Sequence, residues 1–407
     1  MLVLLFALQA SLSLSPAGHA TPSVTGTVTV GTQPYGVAYD SGTGEIFVVN
    51  YGSGTVSVVS GSTNSVVATV KVGTSPADVA YDQAKGELFV TNSGSSSVSV
   101  ISDQSDKVVA NISVPADPRG VVYDPDLGEI FVSSSPTSTT GKLSVISDST
   151  NQVVATVTLG GTGSGLAYDS GKEEVFASVG PGNTVSVISA ATNSVTGTVA
   201  VGPNARGITY DPDDGTLYVS DNGGDTVSVV SDADDMVLAT VTVGSSPFYS
   251  AYVQAAGEVL VANEGSGTVS VISTGNDSVV ATVRVGAFPL TMAYDPSNGD
   301  VYVANYGDGT VSVVAVGTAQ PVNSTTTTTA SSSSSTSTTS TTETTGSETS
   351  VASTQSTAVS TSSSTSSTSS GSGGGLPEFP YQLATALVFT AALVVAYLGV
   401  RGRARRD

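Results

Sequence analysis

GEIFVVNYGSGTVSVVS, Gly44 to Ser60, returns near the end of the repeats as GDVYVANYGDGTVSVVA, Gly299 to Ala315. Five more copies lie between them. A tyrosine precedes each copy, at Tyr39, Tyr81, Tyr123, Tyr168, Tyr210, Tyr252 and Tyr294. The steps are 42 residues, apart from one of 45 after Tyr123. The longer step carries SSSPTSTTGK, a Ser/Thr-rich extension of the third unit. A fixed period of this size marks a repeat architecture.

Each unit holds four short apolar runs separated by turn residues. In the first they are GVAY (Gly36–Tyr39), EIFVV (Glu45–Val49), TVSVV (Thr55–Val59) and SVVATVKV (Ser65–Val72). DSGTG, NYGSG and SGSTN lie between them. The runs are too short for stable helices and alternate with period two, so they predict strands. Four antiparallel strands in each of seven units predict an all-β, seven-bladed β-propeller.

A solenoid would also repeat, but it would leave two open ends. This chain points to a ring. The seventh unit ends at VSVVAVGTAQPVN without its fourth run, and the segment SVTGTVTV, Ser23 to Val30, supplies one. It matches SVTGTVAV, Ser194 to Val201, at all but one position. The N-terminal strand is therefore expected to become the outer strand of blade seven and close the circle. Alternation puts Val24, Val28 and Val30 on one face. Full burial of each would contribute about 1.5–3 kcal/mol, an upper bound for an edge strand.

IFVVN, LFVTN, LYVSD and VYVAN, followed by G-x-x-TVSV and TN-x-V-x-x-TV, resemble the YVTN-family β-propeller repeat. The likeness runs from Ser23 to Val316. It departs in unit three (SSS for the Asn), unit four (ASVG) and unit six (Tyr252-Val253 for Tyr-Asp). The resemblance implies a propeller of the kind common in archaeal surface-layer-like proteins. It does not specify a function.

The two ends read as addresses. Residues 1–20 resemble a signal peptide, with an apolar run from Leu2 to Leu8 and the small-x-small triplet Gly18-His19-Ala20. No Lys or Arg precedes the apolar run. The propeller is assigned to residues 21–317. Residues 318–375 are expected to form a flexible stalk, open to O-glycosylation: 38 of the 47 residues from Ser324 to Ser370 are Ser or Thr. As a coil the stalk would span about 40–45 Å. After a junction at 376–380, Tyr381 to Val400 carries no charge and is long enough to cross a bilayer as a helix. The basic tail 401–407, with Arg401, Arg403, Arg405 and Arg406, would stay in the cytoplasm. The expected location is the cell surface, with the propeller outside.

Composition narrows the chemistry. The 407 residues include no cysteine and one histidine, His19, within the expected leader. A mature chain without either has no imidazole base, no Ser-His-Asp triad and few routes to a zinc site. A propeller enzyme of lactonase or lyase type is the alternative to a recognition or structural role, and it is disfavoured on this ground. No cofactor and no metal are expected. The net charge is −21, with 29 acidic and 8 basic residues between Thr21 and Gly317, which repels nucleic acid. Surface proteins or glycans are the expected partners.

Four groups of residues bear on sites. The aspartates after the repeated tyrosines (Asp40, Asp82, Asp124, Asp169, Asp211, Asp295) each open a turn ending in Gly, and are read as turn formers. DPDDG (Asp211–Gly215) and SDADD (Ser231–Asp235) lack the ligand spacing of a calcium loop. Entry to the innermost strands reads P-Y-G, P-A-D, P-R-G, G-S-G, A-R-G, F-Y-S and P-L-T, with Tyr35, Ala77, Arg119, Ser164, Arg206, Tyr249 and Leu290 in the middle. Tyr35, Arg119, Arg206 and Tyr249 are the candidate ligand-binding residues, suited to an acidic sugar or another anion. Pairing of the arginines with Asp117 or Asp78 is the competing reading. Asn111, Asn276 and Asn323 fit the N-glycosylation pattern.

Overall fold

A computed structural model of the chain describes residues 21–316. Seven four-stranded antiparallel sheets follow one another around a ring. The innermost strand of each blade is, in order, Pro34–Asp40, Pro76–Asp82, Pro118–Asp124, Gly163–Asp169, Ala205–Asp211, Pro247–Val253 and Pro289–Asp295. The strand bounds expected for the first unit hold to within about two residues. Blade four departs at ASVG, where Gly180–Gly182 forms a single 3-10 turn.

Every blade buries one large side chain of its second strand completely: Phe47, Phe89, Phe131, Phe176, Tyr218, Leu260 and Tyr302. The two tyrosines satisfy their hydroxyls. Tyr218 donates to Asp277 at 3.1 Å and Tyr302 to Asn64 at 2.8 Å. Apolar residues alternate between the two faces of each sheet, so each cluster is shared by neighbouring blades. Val37, Ile46 and Val48 of blade one pack with Tyr302, Ala304 and Val311 of blade seven. That last interface exists only in a closed ring.

Closure runs through the N-terminal strand, Ser23–Thr29, which pairs with the last strand, Thr310–Ala315, in the register Ser23↔Ala315 to Thr29↔Thr310. The expected burial of its three valines is only partly met. Val28 is buried and Val30 packs against the same cluster, but Val24 is 39% exposed. The register shifts between Val24 and Gly26, and this bulge at Thr25 breaks the alternation.

All seven outer strands carry the same bulge, at Val67, Val109, Val154, Thr196 and their equivalents. It twists each outer edge out of register with any strand that might add to it, which suppresses edge-to-edge aggregation.

The Asn that closes the second strand of most units has structural work. Asn92 accepts from the N–H of Gly73 at 3.0 Å and donates to Ser99 at 3.0 Å, and Asn305 does the same with Gly286 and Ser312. The Asn thus ties the turn after the second strand to the linker entering the blade. In blade five Asp221 replaces it and accepts from Thr226 and Ser228. The ring of aspartates behaves as expected: Asp40 accepts from Gly42 N at 2.7 Å, Asp124 from Asp126 N at 2.8 Å, and Asp295 from Ser297 N at 2.8 Å.

Candidate functional site

The two faces of the ring are built from different segments. One face carries the linkers entering each blade and the turns between second and third strands. These are hydrogen-bonded together, as Tyr51 N to Gln33 O and Gly52 N to Thr32 O. The other face carries the aspartate turns and the turns before the outer strands, joined as Gly61 N to Gly44 O. The turns NYGSG, TNSGSS, SDNGGD, ANEGSG and ANYGDG therefore share the face on which the innermost strands begin. The mouth of the axial channel opens there.

Seven strands converge at this mouth, and their backbones come very close. A Cβ on Gly36 would lie 2.7 Å from Asp78 Cα, and one on Gly207 would lie 2.7 Å from Tyr249 Cα. Glycine is what lets neighbouring blades meet here.

The structure corrects the sequence register in blade six. Its innermost strand begins at Pro247, so Phe248, not Tyr249, is equivalent to Tyr35, Arg119 and Arg206. Tyr249 falls one residue later, at the position Gly36 and Gly207 hold in other blades. It lies near Asp78, Tyr35, Arg206 and Arg119, groups from four other blades. A phenol that senses all four is near the axis. Burial foremost, together with the Asp78 charge, raises its pKa well above the ordinary phenol value.

The two arginines part company. Arg119 donates through Nε at 3.0 Å and through its terminal nitrogen at 2.8 Å to Asp117. Its charge is matched locally, in line with the competing reading. Arg206 has no ion pair among the described residues. Its guanidinium carbon sits 5.6 Å from the Phe248 ring centroid, and its buried Nε has no hydrogen-bond partner.

Sequence reasoning misses the groups around Arg206. Tyr35 packs at ring-centroid distances of 5.7 Å from Phe248, 6.2 Å from Tyr51 and 6.4 Å from Tyr306. Glu264, in the equivalent turn of blade six, lies close enough for Arg206 to oppose the rise that burial imposes on its carboxyl pKa. Tyr51, Glu264 and Tyr306 share one turn position. Lining up the residue after each second strand exposes them. The mouth is consequently lopsided: aromatic over blades six, seven and one, polar over the others.

Asp78 completes the lining. Its carboxylate accepts from Val79 N at 3.0 Å and Val121 N at 3.3 Å. Burial overrides these bonds and lifts its pKa to about 7. The unfolded carboxyl ionises near pH 4. The folded chain therefore holds the proton more tightly, and the associated stability is lost as pH rises between about 4 and 7, then levels off. Thermal melts across this window should show a falling midpoint. Burial raises the pKa of other carboxyls too, Asp221 and Glu264 among them, so Asp78→Asn should remove part of the fall; an unchanged slope would remove Asp78 from the account.

No group of three metal-ligating side chains lies together among the described residues. Asn111 and Asn276 are both exposed, with side-chain oxygens accepting from Ser99 at 2.9 Å and Ser278 at 2.7 Å. Asn323, the leader 1–20, the stalk 318–375, the junction 376–380, the span Tyr381–Val400 and the tail 401–407 lie outside the described residues.

The fold makes this a seven-bladed β-propeller. No known family matches the sequence, and no curated protein does. Among solved structures, the chain is similar to Kuenenia stuttgartiensis hydrazine synthase, with a TM-score of 0.64 and 20% identity. The match covers 69% of this chain and 95% of that one. At this identity the likeness is one of fold. In all, 1464 solved chains match, and so widely used a scaffold does not select an activity.

Proposed function

We propose that the protein is a membrane-anchored cell-surface recognition or surface-layer-associated protein of the YVTN-propeller type. The propeller is its rigid head, the Ser/Thr-rich segment its stalk, and Tyr381–Val400 its anchor. The observation that carries this reading is the mouth. Arg206, Tyr35, Glu264 and Tyr249 gather on the face that displays the repeat turns, and Arg206 has no ion-pair partner among the described residues. Such a surface suits contact with a partner. Enzymatic turnover of lactones or esters is the alternative, and it would have to proceed with carboxylates, tyrosine and arginine alone.

The test is binding of the full-length chain to isolated cell envelopes. Arg206→Gln should weaken binding by roughly tenfold or more, the range for a charge-assisted contact. Arg119→Gln should change it little. Equal loss from both variants, or none from either, would move the contact away from the mouth. Steady lactone or ester turnover by the purified chain would replace the reading altogether.

A further inference from the structure

The linker that enters blade seven has an odd occupant. The residue just before each innermost strand is left-handed in six blades, and in five it is polar: Gln33, Ser75, Asp117, Asn204 and Ser246. In the sixth it is Phe288, at φ 53°, with 53% of its surface exposed. A bulky residue is disfavoured in this conformation, and here burial offers little compensation. The ring is held in place: a Cβ on Gly307 would lie 2.6 Å from Phe288 Cδ2, and Tyr306 N donates to Phe288 O at 3.0 Å. One side of the ring rests on the neighbouring turn.

Phe288 lines a groove between the turns of blades six and seven, together with Glu264, Arg284 and Asp308. Glu264 belongs to the mouth as well, so the groove adjoins it at that residue. Along this path Arg206 and Arg284 are matched by Glu264 and Asp308, and Asp78 adds one more carboxyl at the mouth. An anion therefore gains no net attraction, and the acidic-sugar expectation loses its main support.

We propose that the groove and mouth together bind a neutral oligosaccharide, one sugar at the partly exposed Tyr35–Tyr51–Tyr306 cluster and the next over Phe288. The proposal rests on the reading of the mouth as a recognition surface. Its chemistry is specific. The C–H face of a pyranose packs on an aromatic ring. Its neighbouring hydroxyls both donate and accept, so they suit a surface that alternates guanidinium and carboxylate groups.

The full-length chain should be titrated with glucose, neutral glucan and mannan tetrasaccharides, an acidic hyaluronan tetrasaccharide and an acidic peptide. At least one neutral tetrasaccharide should bind, tighter than its monosaccharide and than either acidic probe. Phe288→Asn keeps a residue that tolerates the left-handed backbone, as Asn204 shows. It should weaken the tetrasaccharide roughly five- to tenfold, the size of one aromatic contact, and leave glucose unchanged. No neutral saccharide binding, preference for an acidic probe, or unaltered affinity in Phe288→Asn would each overturn the proposal. If envelope binding still depends on Arg206 while neutral saccharides fail, the recognition reading survives and the saccharide falls. If neither binds, both fall.

Discussion

Removing Ser23–Thr29 should lower the melting temperature of the propeller by about 5–10 °C and leave it prone to aggregate. The strand contributes the burial of Val28 and part of Val30, and it covers Val311 and Val313, both fully buried. The loss is on the order of 3–6 kcal/mol, and for a domain of roughly 300 residues each kcal/mol moves the midpoint by only about 1.5–2 °C. The effect is also qualitative, since the last strand would become an open edge without its bulged cover. A synthetic Ser23–Val30 peptide should restore much of the midpoint when added in excess. A truncated chain that melts with the full-length one would show that the ring holds without its clasp.

The second large effect belongs to the ring of buried aromatics. Phe47→Ala should cost about 3–5 kcal/mol, because the cavity lies between sheets that cannot collapse into it independently. Phe47 is fully buried and packs with Val56, Val58 and Leu88, the last from blade two. Val67→Ala, at an outer bulge where 54% of the valine is exposed, should change stability by less than about 0.5 kcal/mol. Chemical denaturation of both variants gives the comparison. A small effect at Phe47 would contradict this packing.

Much of the architecture is legible in the sequence. Strand length, turn chemistry and the Ser23–Val30 copy of SVTGTVAV repeat in phase, so an error in one unit is corrected by the other six. The bulges are not legible, because VVAT reads as plain alternation and only pairing with the neighbouring strand reveals the extra residue. That is why alternation places Val24 beside Val28, while in the folded ring it pairs with Val314 across the bulge and is 39% exposed.

The site is harder for a different reason. Its groups come from separate blades and separate segments, brought together only by the curvature of the ring. Two adjacent aromatics in Pro247-Phe248-Tyr249 make the register ambiguous by one residue. Arg119 and Arg206 look alike in the sequence, yet Asp117 engages the first, while the second faces Phe248 and Glu264 from the neighbouring blade.

Closure through the first strand has a consequence for how the protein is made. Ser23 meets Ala315 only after the whole series of blades has been synthesised. Blades one to six are assembled from contiguous chain and can form as local meanders while elongation continues. The last sheet must wait with three strands for a partner that emerged first, and this long-range pairing is the slow step expected of non-local β topology. During that interval the nascent chain offers one unprotected edge, and a second molecule carrying the same first strand fits it equally well. Domain-swapped dimers that trade N-terminal strands are thus the characteristic misassembly of this chain, favoured when many copies are produced close together.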